Sequence, residues 1–104
     1  MIEITMRPGN EQAAVEFRFQ APPGHTVSVA GVFNDWDASA DTMEYDPDES
    51  AYRCTLDLAP GEYEYKFVVD GKWMLDDGNP NFVSNDFGTL NSILSVSHST
   101  PGAF

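Results

Sequence analysis

Val15, Phe17 and Phe19 alternate with Glu16 and Arg18, a period of two that predicts a half-buried strand with one apolar face. Ala21-Pro22-Pro23-Gly24 interrupts it. The alternation resumes over Thr26 to Gly31 with Val27 and Val29 on one side, which reads as a hairpin-like return. From Asn34 to Ser50 the chain is polar and rich in Asp, with a turn signal at Asp46-Pro47-Asp48, and is expected to be mostly loop with Met43 as its candidate anchor. Tyr52, Cys54, Leu56 and Leu58 then share a face. Ala59-Pro60-Gly61-Glu62 supplies a turn, and Tyr63, Tyr65, Phe67 and Val69 form the next apolar face. Asp70-Gly71 is the strongest short hairpin signal in the chain and joins that strand to Lys72-Trp73-Met74-Leu75. Residues 76–81 read as a loop and Asn91 to Val96 as a last strand.

Roughly six or seven short strands, punctuated every ~8–12 residues and without helical periodicity, predict a single all-β domain, an immunoglobulin-like antiparallel β-sandwich. The Cys…Trp…Cys pattern of true immunoglobulin domains is absent, so the inference rests on strand spacing. The expected boundaries are an N-terminal extension or edge strand over 1–12, the sandwich over 13–97 and a tail over 98–104.

Composition narrows the partners. The chain has 104 residues, 41% hydrophobic and 21% charged, which excludes a disordered polypeptide and suits one core burying roughly two-thirds of the unfolded surface. A formal net charge of −12 repels nucleic-acid phosphates and anionic lipid heads, whereas a neutral polysaccharide is indifferent to it. Solubility is the plain reading of that charge. The single cysteine, Cys54, sits at an inward strand position and is expected to be buried and inert. The N-terminal segment lacks a basic start followed by an apolar run, and no stretch reaches ~18 apolar residues, so no membrane association is expected and the cytoplasm is the expected location.

If Tyr63, Tyr65, Phe67 and Val69 face the core, Glu64, Lys66 and Val68 face outward. A two-residue turn at Asp70-Gly71 pairs Val69 with Lys72 and sets Trp73 opposite Val68, on the same outer face as Lys66. A pyranose has flat faces of C–H bonds and a rim of hydroxyls. It is therefore met by an aromatic plate together with donors and acceptors such as Lys, Asn and Thr. A tryptophan in a small sandwich is also a common core residue, and a lone strand lysine is commonly just solvated. Trp36, in a Gly- and Asn-rich turn, is open to either reading.

Other chemistries find little support. Asp46-Pro47-Asp48-Glu49-Ser50 starts like a calcium-binding loop, but Ala51 stands where a glycine is needed. His25 and His98 have no ligand spacing to each other or to Cys54, so no metal and no cofactor is expected. With seventeen Asp and Glu, some carboxylate pair reaches glycosidase separation by chance, which makes such a pair uninformative.

Three motifs in order, Gly31-Val32-Phe33-Asn34-Asp35-Trp36, Tyr63-Glu64-Tyr65-Lys66-Phe67-Val68-Val69-Asp70-Gly71-Lys72-Trp73 and Phe87-Gly88-Thr89-Leu90-Asn91, carry a resemblance to a known family. From Val27 to Val96, about two-thirds of the chain, the sequence resembles carbohydrate-binding module family 48, found as the glycogen-binding domain of AMP-activated protein kinase beta subunits and in isoamylases and branching enzymes. The resemblance implies that Trp36 and Trp73 stack on α-1,4-linked glucan while Lys66, Thr89 and Asn91 meet its hydroxyls. Phe87 stands where the kinase-type modules carry a leucine that packs against or pierces the ligand ring. Catalytic relatives attach this module to a (β/α)8 barrel of ~250 residues, too large for this chain, so no enzyme activity is expected. Two rival expectations remain: a module docking a separate glucan-metabolising enzyme or kinase subunit, and a small glycosidase.

Overall fold

The computed structural model describes residues 2–6 and 13–96, the former as a strand without its side chains. Nine strands follow in order: β1 Ile2–Met6, β2 Ala13–Gln20, β3 Val27–Gly31, β4 Glu44–Asp46, β5 Ala51–Leu58, β6 Gly61–Val69, β7 Lys72–Met74, β8 Phe82–Ser84 and β9 Leu90–Val96. One sheet runs β1-β2-β5-β4. The other runs β3-β6-β9-β8, with β7 added to the far half of β6, and every pairing is antiparallel. The two sheets pack as the expected immunoglobulin-like sandwich. The expected tail over 98–104 lies outside the described residues.

Inward alternation builds the core. Val15 and Phe17 of β2, Val27 and Val29 of β3, and Tyr65 and Phe67 of β6 are fully buried between the sheets. Phe17 meets the edge of Tyr65 at 5.2 Å between ring centroids, and Phe19 meets Phe67 at 5.3 Å, arrangements that satisfy the ring quadrupoles. A core that contains Tyr65 must satisfy its hydroxyl. It donates to Asp76 Oδ2 at 2.7 Å and accepts from Asn79 Nδ2 at 3.1 Å, while the Asp76 N–H donates to Ser92 Oγ at 3.0 Å. Burial first, then the neighbouring Asp76, holds the Tyr65 phenol protonated well above its ordinary range. This buried polar knot ties the β7–β8 loop to β6 and β9.

Two expectations need correction, and a third holds with one addition. Val27 to Gly31 does not return as a hairpin beside β2, because β3 pairs with β6 in the opposite sheet. The Pro-Pro-Gly segment crosses between layers instead, held where Tyr52 O–H donates to the Pro22 carbonyl at 2.8 Å and accepts the His25 N–H at 3.0 Å. Cys54 is half-buried against the edge of the core; burial, with the carboxylates of Asp41 and Glu44, pushes its thiol up to about 11, which keeps it unreactive. The polar stretch 34–50 contains the short strand β4, and buried Met43 anchors it through its N–H to the Val27 carbonyl at 2.8 Å.

The outer face of the first sheet carries a charge network. Arg18 and Arg53 lie directly opposite each other across β2 and β5, a like-charge pairing that would destabilise the ladder alone. Glu16 bridges them, bonding Arg18 and Arg53, and Asp46 takes the remaining Arg53 Nη1 at 2.7 Å. Burial pushes the Glu16 carboxyl up, but the hydrogen bonds and charges of the two guanidiniums prevail and hold it below its ordinary value. Arg53 and the Asp48 N–H lower Asp46 in the same way, and the Thr26 N–H followed by His25 lowers Asp70.

A depressed carboxylate contributes stability that is present above its unfolded pKa and lost as pH falls through its folded value. The ordinary values here are 4.5 for Glu16 and 3.8 for the aspartates, so the loss begins below that range. The thermal midpoint is expected to drop as pH is lowered from about 4 toward 2, more shallowly in Glu16→Gln. Circular dichroism melts across that range measure both slopes.

Gly31 sets a second constraint, of space. Its backbone is extended, yet a Cβ there would lie 2.5 Å from the Glu64 carbonyl oxygen and 2.9 Å from Tyr65 Cβ, so β3 and β6 approach only because no side chain intervenes. Gly31→Ala is expected to cost about 1–3 kcal/mol by overpacking, with Tm falling by several degrees per kcal/mol in a calorimetric melt.

Candidate functional site

Strand β6 presents Glu64, Lys66 and Val68 away from the core, as its alternation requires. The β6–β7 hairpin has the predicted register, with Val69 opposite Lys72 and Val68 opposite Trp73. Its two turn residues, Asp70 and Gly71, have φ of 51° and 84°, the left-handed pair a tight hairpin needs. Trp73 is thereby held on the outer face beside Lys66, 46% exposed.

Trp36 arrives from another direction. Asn34 organises its turn: the side-chain carbonyl accepts the Gly31 N–H at 3.0 Å, and the amide donates to the Val29 carbonyl at 3.1 Å and to Asp41 at 2.8 Å. The Trp36 N–H then donates back to the Gly31 carbonyl at 2.9 Å. Asp35 and Trp36 both adopt positive φ, 55° and 61°, a conformation that is an outlier for a bulky residue and costs about 1–3 kcal/mol each. That strain aims the indole at β7. The Trp36 and Trp73 ring centroids are 6.4 Å apart with planes tilted by 45°.

Thr89 enters from the β8–β9 loop and Asn91 from the first residues of β9. Lys66 Nζ donates to Thr89 Oγ1 at 3.2 Å, and the Asn91 amide donates to Glu64 Oε1 at 3.0 Å. Asn91 is only 6% exposed and forms the floor, with Glu64 and Asn85 engaging both ends of its amide. Phe87 stands at the loop tip, 91% exposed, far more open than any other large apolar side chain described. Trp36, Lys66, Trp73, Phe87, Thr89 and Asn91 all line one open cleft of about 710 Å³, joined by Val32, Glu64, Ser84, Asn85 and Asp86.

Asn85 holds this loop together. Its side-chain oxygen accepts the N–H groups of Phe87 at 2.9 Å and Thr89 at 3.1 Å, and its amide donates to Thr89 Oγ1 at 2.6 Å and Asn91 Oδ1 at 3.0 Å. Sequence reasoning passed over it, although Asn85-Asp86-Phe87-Gly88 has the composition of an Asx-turn. Strand parity turns Glu64 outward, but its bond to Asn91 spans 27 positions and has no local signal. A second hollow of about 520 Å³ lies on the opposite sheet around Glu16, Asp46 and Arg53. There Arg53 is committed to carboxylates and the lining offers Tyr45 alone as an aromatic, so the tryptophan cleft is the better candidate.

Fold and cleft together define a β-sandwich binding module with an aromatic platform above a polar floor. Residues 13–101 match the family model for the glycogen recognition site of AMP-activated protein kinase, and the chain belongs to that family. It is 31% identical over 98 residues to human 5'-AMP-activated protein kinase subunit beta-2, covering 94% of this chain and 34% of the relative. Pig 5'-AMP-activated protein kinase subunit beta-1 is 37% identical over 95 residues, covering 91% of this chain and 73% of the relative. Rat subunit beta-1 is 37% identical over 73 residues, 70% of this chain and 25% of the relative. The chain thus spans about a third of the length of the human beta-2 relative.

Removing the Asn85 acceptor exposes the loop amides. In Asn85→Ala the N–H groups of Phe87 and Thr89 are expected to exchange with solvent faster, consistent with loss of about 1–2 kcal/mol of local hydrogen bonding, while those of β6 are unchanged. Hydrogen exchange followed by NMR reads both sets of amides.

Proposed function

We propose that this protein is a non-catalytic module that binds α-1,4-linked glucan: glycogen, starch or maltooligosaccharides. The observation that carries the reading is the pair of indoles, 6.4 Å apart and tilted by 45°, beside Lys66, Thr89 and Asn91. Successive pyranoses of an α-1,4 chain turn relative to one another and the chain curves, so two plates set at an angle suit it. A flat β-1,4 ribbon calls for coplanar plates. Trp36 and Trp73 stack on adjacent rings, each such contact adding ~0.5–1.5 kcal/mol beyond area burial. Lys66 donates to the hydroxyl rim, Thr89 adds a hydroxyl, and Asn91 shapes the floor while Phe87 packs on the outer side of the ring. The match over 13–101 and the relatives named as kinase subunits support this reading, with 13–97 as the binding unit.

Glu64 is an acceptor for the Asn91 amide, which suits a fixed wall of the cleft better than a proton donor to a glycosidic oxygen. The lone, unreactive Cys54 fits a cytoplasmic location, and no helix among the described residues is long and apolar enough to cross a membrane. A second reading, docking to a glucan-metabolising enzyme or kinase subunit, draws on the exposed apolar side chains Phe82 and Leu90 beyond the cleft.

The site is open and its ligand neutral, so affinity for a short oligosaccharide is expected at roughly 10 μM to 1 mM. Titrating intrinsic tryptophan fluorescence with maltoheptaose and β-cyclodextrin should give a saturable change, reduced about tenfold or more in apparent affinity in Trp36→Ala and Trp73→Ala. Calorimetry that finds no binding by the folded wild type removes the glucan reading. Undiminished affinity in both variants removes the site. Release of reducing sugar by purified protein would make it a glycosidase instead.

A further inference from the structure

We infer that the cleft selects uncharged glucan and turns away phosphorylated chains, with Glu64 and Asp86 as the residues that make the distinction. This rests on the glucan reading of the same site. Lys66 is the only cation in the lining of the cleft, against the carboxylates of Glu64 and Asp86. Asp35 and Asp37 flank Trp36 on the exposed turn. The other cations described lie elsewhere: Arg18 and Arg53 hold Glu16 on the opposite sheet, and Lys72 lies on the β6–β7 hairpin outside the lining.

Lys66 and Glu64 are two residues apart on one face of β6 and line the same cleft, so a charged group held at the ammonium lies within a Debye length of the carboxylate. The Lys66 donor is shared with the hydroxyl of Thr89, and Glu64 is pinned by the Asn91 amide and so held within the lining. A sugar hydroxyl is uncharged and both donates and accepts, so it meets either group at no electrostatic cost. A phosphate monoester in its place carries a charge of about −1.5 to −2 at neutral pH and only acceptors. It gains one cation and faces two carboxylates, within the wider field of a −12 chain. Like-charge juxtaposition of this kind is a means of rejecting wrong partners.

The test is calorimetric titration with maltoheptaose and with maltoheptaose bearing one 6-phosphate, at about 10 mM and about 150 mM ionic strength, where the Debye length falls from ~30 to ~8 Å. The wild type is expected to bind the neutral chain about tenfold or more tightly at low salt, with the ratio shrinking several-fold at higher salt. In the Glu64→Gln/Asp86→Asn double variant the ratio should approach one. Asp86→Asn alone, on the exposed loop, should narrow it part of the way and serves should the double variant fail to fold. Equal affinities in the wild type overturn the inference. So does a ratio that survives both substitutions: if it still responds to salt it marks the net charge of the chain, and if it ignores salt it marks a steric effect. If the neutral chain itself does not bind, the glucan reading falls and this inference with it.

Discussion

Strand β6 is the constraint on which both halves of the molecule depend. A pleat cannot turn Tyr65 and Phe67 inward without turning Glu64 and Lys66 outward. The same nine residues pair with β3 on one side, and with β9 and then β7 on the other, so every element that contributes to the cleft is referred to this strand. The Tyr65 hydroxyl extends that reference to the β7–β8 loop through Asp76, Asn79 and Ser92. Displacing β6 by one residue would bury the lysine and expose the aromatic core. Core and cleft are therefore one decision.

Several residues of the three motifs hold the backbone in place. Gly31 is required because β6 passes too close for a Cβ, and Asn34 is required because the turn after β3 leaves donors and acceptors that its side chain satisfies. Asp70 and Gly71 reverse the chain so that Trp73 lands beside Lys66. The strained backbone at Asp35 and Trp36 is carried by these bonds, and it fixes where the indole leaves the turn. Scaffold and plates must occur together, which is why the motifs inform most in combination.

Charge is partitioned between the two sheets. The paired arginines of the first sheet are balanced locally by Glu16 and Asp46, leaving the cleft on the second sheet with one lysine among carboxylates.

Alternation along β2, β5 and β6 and the Asp70-Gly71 turn made the sandwich, most of its core and the common face of Lys66 and Trp73 legible in the sequence, because strand parity and tight turns are local properties. The resemblance supplied Trp36, Thr89, Asn91 and Phe87, and their convergence on one cleft needed the fold. Which sheet β3 joins was not legible, since alternation specifies a face and leaves the partner open; the Tyr52 bonds to Pro22 and His25 link residues some thirty positions apart. Nor was the Asn85 hub, or the Glu64 bond to Asn91 across 27 positions. The sequence alone determined which side of each strand is apolar and where the chain turns, for these depend on neighbours a few residues away. Only the tertiary structure decided the 45° between the two indoles and which carboxylates share their cleft, because those follow from how separate strands and loops pack.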